Sequence, residues 1–216
     1  VSSLKAVYSG AAPLPVVVLD RFREMTGLQV VEGYGLSESA PTLTTNSAGE
    51  VPKVGSVGPS IRDVTLRIVA GTDQDVPPGE VGEITVRSKH IMVEYWHKPE
   101  ETSKTLVNGW IHPGDMGFYD DEGYIYIADR KKDMIISGGE NVYPREVEDV
   151  LYQHPAVLEA AVIGIPDPYW VEKVHAIVAT RKGVSTTAEE LTAFCKKHIA
   201  GYKVPKDIEF VDSLPK

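Results

Sequence analysis

The chain has 216 residues, 42% of them hydrophobic and 25% charged, and its 31 acidic against 22 basic side chains give a net charge of −9. That is ordinary globular usage for one large domain or two small ones, and it excludes a disordered or fibrous chain. No apolar run approaches the roughly 18 residues of a membrane-spanning helix, the most apolar stretch being Val16 to Leu19. Division at residue 133 leaves −6 before and −3 after, so neither half offers a basic surface to a nucleic-acid backbone. The single cysteine, Cys195, cannot build a disulfide framework or a thiolate metal cage. It points to a reducing compartment, and the expected location is the cytoplasm.

In chain order, Leu4 to Tyr8 reads as a short buried strand. Pro13 then opens a helix with Val16, Leu19, Phe22 and Met25 on one period, and Gly27 closes it. Val30 and Val31 begin a second strand that runs into Glu32-Gly33-Tyr34-Gly35-Leu36-Ser37-Glu38, a loop dense in glycine and polar groups. From Val51 to Ile127 the pattern becomes β, with alternation over Val64 to Val69 and Val81 to Arg87 between Gly and Pro turns, and a small antiparallel barrel or sandwich is expected. The charged run Asp129 to Asp133 separates two apolar strands, Tyr124 to Ala128 and Met134 to Ile136, and marks a candidate domain junction.

Beyond it, Pro144 starts a helix with Val147, Val150 and Leu151 on one face, and His154-Pro155 stops it. Strands follow at Val157 to Ile165 and Val174 to Thr180. Thr187 and Glu190 form a capping box for a helix that turns Leu191, Phe194, Cys195, His198 and Ile199 inward, and Asp207 to Val211 is a last strand. Residues 134–216 thus read as a compact α+β unit. The chain begins at Val1 without a signal-peptide pattern and stops at Lys216 just past an apolar run, so it is read as a piece of a longer protein.

Three clusters could carry chemistry. Tyr34 offers a flat face on which a base could stack for about 1 to 3 kcal/mol. Ser37 could donate to a phosphate or carboxylate oxygen, and Glu38 could hold Mg²⁺, which takes oxygen ligands. The same loop could be only a polar turn around a packed tyrosine. In Gly109 to Asp115, the acid sits in a Gly/Pro turn, either as an Asx-turn or as a carboxylate that accepts both hydroxyls of a ribose. In Ser137 to Pro144, two adjacent glycines permit close backbone approach or form a tight turn, and no Gly-Lys-Ser/Thr ending makes this a phosphate cradle.

The order and spacing of five segments are more specific than any one of them. Val7-Tyr8-Ser9-Gly10-Ala11-Ala12-Pro13-Leu14, Glu32 to Glu38, Gly109 to Asp115, Asp129 to Asp133 and Ser137 to Glu148 together closely resemble the adenylate-forming superfamily of acyl-CoA synthetases, luciferases and peptide-synthetase adenylation domains. The resemblance covers essentially the whole chain, and Glu-Gly-Tyr-Gly-Leu-Ser-Glu looks most like medium- and long-chain fatty acyl-CoA ligases. It implies a mixed α/β and α+β architecture: residues 1–129 as the end of the large AMP-binding domain with its antiparallel β-barrel region, 130–133 as a hinge, and 134–216 as the small C-terminal α+β domain.

The same resemblance implies roles for individual residues. Gly10, Ala11 and Ala12 would line an adenine that Tyr34 covers, and Ser37 would stand beside the α-phosphate and acyl carboxylate. Glu38 would bind Mg²⁺, Asp115 the ribose, and Arg130 the ribose or phosphate. Lys132 would be the pivot between the domains and Gly139 would border the pantetheine tunnel. ATP, Mg²⁺ and CoA are the cofactors implied, with a fatty acid as the acyl partner and no nucleic acid. Peripheral membrane contact and a homodimer are compatible with it. An aryl-CoA ligase, a peptide-synthetase adenylation domain and a non-catalytic nucleotide-binding module are the alternatives. Two family features have no counterpart in the 216 residues: the Ser/Thr/Gly-rich phosphate loop upstream, and the Gly-Lys pair that would follow Leu214-Pro215-Lys216.

Among the remaining residues, the six histidines show no ligand spacing and no zinc site is expected. His112 reads as a turn residue, Cys195 as a core thiol, and Trp96, Trp110 and Trp170 as packing anchors.

Overall fold

The computed structural model describes residues 3–12, 14–39, 41–47, 52–71 and 73–215, and these fall into two compact units, Val1–Lys131 and Lys132–Lys216. The helix opening expected at Pro13 lies outside the described residues; the first helix, α1, runs Val16–Thr26 after Pro15, whose extended backbone (φ −57°, ψ 137°) precedes the first turn. Gly27 ends it in the left-handed conformation, its N–H donating to the Arg23 carbonyl. Of the apolar period on α1, Leu19 is buried whereas Val16 and Met25 are exposed.

In the first unit, β1 (Val7–Ser9) pairs in parallel with β2 (Val30–Tyr34), and β2 pairs antiparallel with the two-residue β3 (Thr44–Thr45). A larger, antiparallel sheet follows. Its strands are β4 (Val64–Ala70), β5 (Gln74–Asp75), β6 (Gly82–Ser88), β7 (Leu106–Val107), β8 (Trp110–Ile111), β9 (Asp115–Tyr119) and β10 (Ile125–Arg130). The spatial order is β10-β9-β6-β4-β5, with the β7–β8 hairpin attached to β6 through Ile111. That hairpin turns on Asn108-Gly109, both at positive φ, the pair a tight type I′ loop requires. Ile68, Ile84, Val86 and Ile111 from four adjoining positions of the sheet are shut off from solvent and form its core with Leu43. Single bridges from Gly58 to Ile125 and from Thr44 to Ser60 join this sheet to the chain around β3.

One helix escapes the sequence reading. α2 (Pro99–Thr105) has no buried residue and hence no apolar period, yet Pro99 at its start, Glu100 and Glu101 in its first turn and Lys104 in its last are the local signals of a helix.

The second unit contains the hairpin β11 (Ile135–Ser137) and β12 (Glu140–Val142), helix α3 (Pro144–Tyr152), the long pair β13 (Val157–Asp167) and β14 (Val171–Thr180), helix α4 (Ala188–His198) and β15 (Asp207–Val211). The order is β12-β11-β14-β13, with β15 parallel to β14. Along β14, Val174, Ala176 and Val178 are buried while Lys173, His175 and Ile177 alternate with them, as a strand covered on one face demands. Val147, Val150 and Leu151 of α3 and Leu191 and Cys195 of α4 close that face. His198, expected inward, is exposed; it lies in the last turn of α4, where its Nδ1 is 2.8 Å from the Phe194 carbonyl.

The capping box forms as read. Glu190 N–H donates to Thr187 Oγ1 at 3.2 Å, and Thr187 N–H donates back to Glu190 Oε2 at 3.1 Å. Thr187→Ala should cost about 1 kcal/mol and therefore speed amide exchange in the first turn of α4 by about fivefold. Hydrogen exchange resolved to that turn measures it; unchanged protection would show that packing alone holds the helix end.

Candidate functional site

Because β1 and β2 are parallel, with Ser9 opposite Glu32, both strands end on the same side. Ligands of open α/β sheets lie beyond such carboxyl ends. Past β1, Gly10, Ala11 and Ala12 form an exposed strip, and a Cβ placed on Gly10 would stand 3.5 Å from the Gly33 carbonyl. Ala11 holds φ 69°, a conformation that residues with a side chain rarely adopt, so the strip is held in a fixed and locally costly shape.

Tyr34 ends β2. Its phenol donates to Asp115 Oδ2 at 2.6 Å across 81 residues of sequence, and Arg130, the register partner of Asp115 across β9 and β10, places Nε 3.8 Å from Oδ1. Burial, and then the neighbouring Asp115 charge, push the Tyr34 phenol above its ordinary value, so it stays a donor. Burial also pushes the Asp115 carboxyl up, with Glu38 and Glu83 adding to the effect, while the Tyr34 hydrogen bond and Arg130 pull it partly back. The result is a carboxylate with one oxygen committed to Tyr34 and the other turned toward a guanidinium.

The loop after Tyr34 is fixed by a close approach. A Cβ on Gly35 would fall 1.4 Å from the Pro41 carbonyl oxygen, so only glycine fits. Residues Ser37–Ser39 form a single 3₁₀ turn with Ser37 exposed and Ser39 buried, its Oγ donating to the Leu36 carbonyl at 3.2 Å. Glu38, half-buried, is gripped from the segment after β6: Met92 N–H donates to its carbonyl at 2.6 Å, and the Tyr95 phenol donates to its Oε1 at 2.6 Å. Neither residue was visible as functional in the sequence, because nothing in Glu-Tyr-Trp spacing says what a phenol will meet 57 residues away.

Among the described residues no three His, Cys, Asp or Glu side chains gather into a metal cage. A single half-buried carboxylate, with one oxygen that meets no donor among the described residues, nevertheless suits Mg²⁺, which keeps most of its waters and takes one or two carboxylates together with substrate phosphates. Glu38 fits that description.

Beside Asp115, Glu83 is buried on β6; its Oε2 accepts from Lys131 Nζ at 3.0 Å, and its Oε1 lies 3.8 Å from His112 Nδ1. Lys131 N–H also donates to the Gly114 carbonyl at 2.7 Å. Trp110 lies with Arg67 and Arg87 over its ring at 5.2 and 6.0 Å. Trp96 is 78% exposed and anchors no core, contrary to expectation.

The other two candidate residues belong to the second unit. Lys132 is its first residue. Gly139 sits with Gly138 at the tip of the β11–β12 hairpin, where Ser137 faces Glu140 and both glycines have positive φ, so this is a type I′ hairpin followed by a helix. The two are not equivalent: a Cβ on Gly138 would meet the Trp170 ring at 3.0 Å, whereas Gly139 has nothing within 4 Å. Cys195 is buried in the core, which pushes its thiol up to about 11 and leaves it unreactive at neutral pH.

The electrostatics of Asp115 make a stability prediction. Its folded pKa stands above the unfolded value, so its ionised form opposes folding, and that cost appears as pH rises through the carboxylate range. Asp115→Asn, which can still accept from Tyr34, should raise the unfolding free energy at neutral pH. The gain should vanish in acid, where wild-type Asp115 is itself neutral. Urea unfolding at both pH values decides, and a variant less stable at neutral pH would show that the attraction of Arg130 outweighs burial.

Residues 1–96 match the family model described as AMP-binding enzyme, and residues 146–216 match that of the AMP-binding enzyme C-terminal domain, together more than three quarters of the chain. The chain is 48% identical over 216 residues to a long-chain-fatty-acid–CoA ligase of Bacillus subtilis, covering all of this chain and 39% of the relative. It is 45% identical to a feruloyl-CoA synthase of an Amycolatopsis species, covering 99% of this chain and 44% of the relative. It superposes with a TM-score of 0.92 and 35% identity on the crystal structure of an anthranilate CoA ligase in complex with anthranoyl-AMP, covering all of this chain and 42% of that one. The chain therefore spans about two fifths of the length of such relatives, and by the two matches at its ends it belongs to the AMP-binding enzyme family.

Proposed function

We propose that the whole protein is an ATP-dependent acyl-CoA ligase, which activates a fatty carboxylate as its acyl-adenylate and passes the acyl group to the thiol of CoA. The observation that carries this reading is the Tyr34–Asp115 pair at the carboxyl ends of β1 and β2. There an aromatic face and an anionic acceptor stand together beside an exposed backbone strip, as an adenosine requires. The fatty-acid substrate rests on the Bacillus relative. An aryl carboxylate is the second reading, favoured by the feruloyl-CoA synthase at 45% identity and by the anthranilate CoA ligase at 35%.

In the first half-reaction the carboxylate attacks the α-phosphorus of ATP and pyrophosphate leaves. Gly10, Ala11 and Ala12 line the adenine under Tyr34, and the Asp115 oxygen not used by Tyr34 accepts the ribose hydroxyls. Arg130 reaches the ribose or phosphate, and Ser37 donates beside the α-phosphate and the acyl carboxylate. Mg²⁺ held by Glu38 would offset the charge that develops on the pyrophosphate. In the second half-reaction the thiol of CoA attacks the acyl carbonyl and AMP leaves, with Gly139 bordering the path of the pantetheine. We assign residues 130–133 as the hinge between domains 1–129 and 134–216, with Lys132 as the pivot that lets one site serve both steps. The cytoplasm is the proposed location.

ATP–pyrophosphate exchange by the whole protein, tested with fatty and aryl acids, decides between the substrate classes; no exchange with any carboxylate would overturn the reading. Asp115→Ala removes a charge-assisted acceptor worth about 1.5 to 3 kcal/mol and should weaken nucleotide binding about 10- to 100-fold by calorimetry. Unchanged affinity would remove Asp115 from the site. Lys132→Pro fixes φ at one residue. Adenylation should persist while thioester formation falls, and equal loss of both half-reactions would exclude a pivot.

A further inference from the structure

Glu38 is held at two points by one stretch of chain. Met92 fixes its carbonyl and Tyr95 its carboxylate, each at 2.6 Å. The backbone that carries the phenol is itself braced: Tyr95 N–H donates to Thr102 Oγ1 at 3.0 Å, Thr102 Oγ1 donates to the Lys98 carbonyl at 2.8 Å, and Lys98 N–H donates to the Tyr95 carbonyl at 3.0 Å. The polar helix α2, which buries nothing of its own, thus has a use in fixing the residue that points Glu38. The geometry leaves Oε1 occupied and Oε2 free among the described residues.

From this we infer that Tyr95 is a positioning residue for the Glu38 carboxylate, selecting the rotamer and the oxygen that Glu38 offers to a divalent cation bound with the nucleotide. The inference rests on the proposed role of Glu38 and goes one step beyond it. A hydroxyl that donates to one carboxylate oxygen restricts the side-chain torsions, so the other oxygen is aimed before a cation arrives. Without the hydroxyl, Glu38 keeps its charge and its backbone anchor but loses its aim.

The test uses the whole protein and α,β-methylene-ATP, a nucleotide that cannot release pyrophosphate, so no turnover is involved. Calorimetry gives its affinity with and without Mg²⁺, and the ratio is the gain due to the cation. Tyr95→Phe should leave the Mg²⁺-free affinity unchanged and reduce the gain about tenfold, the size of effect that losing a supporting hydrogen bond has at a metal ligand. Glu38→Gln should abolish the gain. If Glu38→Gln keeps the gain, the cation role of Glu38 is wrong. If Glu38→Gln loses it while Tyr95→Phe retains it in full, Tyr95 has no positioning role. Equal loss of affinity with and without Mg²⁺ in Tyr95→Phe would make it a packing residue and overturn the inference as well.

Discussion

The hydrogen bond from Tyr34 to Asp115 is the constraint on which the first unit depends. It joins the last residue of β2, in the small sheet, to the first residue of β9, in the large one. Its length of 2.6 Å is that of a charge-assisted contact. Everything else in the site is placed with respect to it. The Gly10–Ala12 strip leaves β1 beside Gly33, the 3₁₀ turn bearing Glu38 begins three residues past Tyr34, and Arg130 faces Asp115 across the β9–β10 ladder. An aromatic ring that would otherwise swing about its side-chain torsions is held at both ends, by its backbone in a sheet and by its hydroxyl on a carboxylate.

Around that bond, acidic groups crowd a small region, and the charges of Glu38 and Glu83 both bear on Asp115. Each has a donor that makes its burial tolerable: Tyr95 for Glu38, Lys131 for Glu83, Tyr34 for Asp115. Two of the three donors are phenols rather than cations. A phenol satisfies a carboxylate without neutralising it, so the negative character of the region is preserved.

Most of the second unit could be read directly from the residues. Thr187 and Glu190 cap α4, Pro144 opens α3, and the alternating burial of β14 follows its apolar period, since each of these depends on neighbours a few positions away. The candidate site in the first unit can be proposed from motif residues, but its bonds cannot be read from them. Tyr34, Asp115 and Arg130 could be picked out by motif, whereas the partnership of Tyr95 with Glu38 depends on where β6 delivers the chain. α2 failed the test of periodicity because it has no buried face. Trp96 and His198 depart from expectation for a related reason: apolar or aromatic character does not enforce burial at positions that lie at the edge of an element or beyond it.

The raised carboxyl of Asp115 has a thermodynamic corollary. A ligand whose hydroxyls donate to this group favours its charged form, so occupancy lowers the pKa that burial had raised. Wherever the free carboxyl is partly protonated, uptake of such a ligand expels a fraction of a proton into solution, and by reciprocity acidification weakens its hold. The desolvation that Asp115 bears in the fold becomes a source of affinity once those hydroxyls arrive, and the first unit gains resistance to unfolding with the logarithm of ligand concentration.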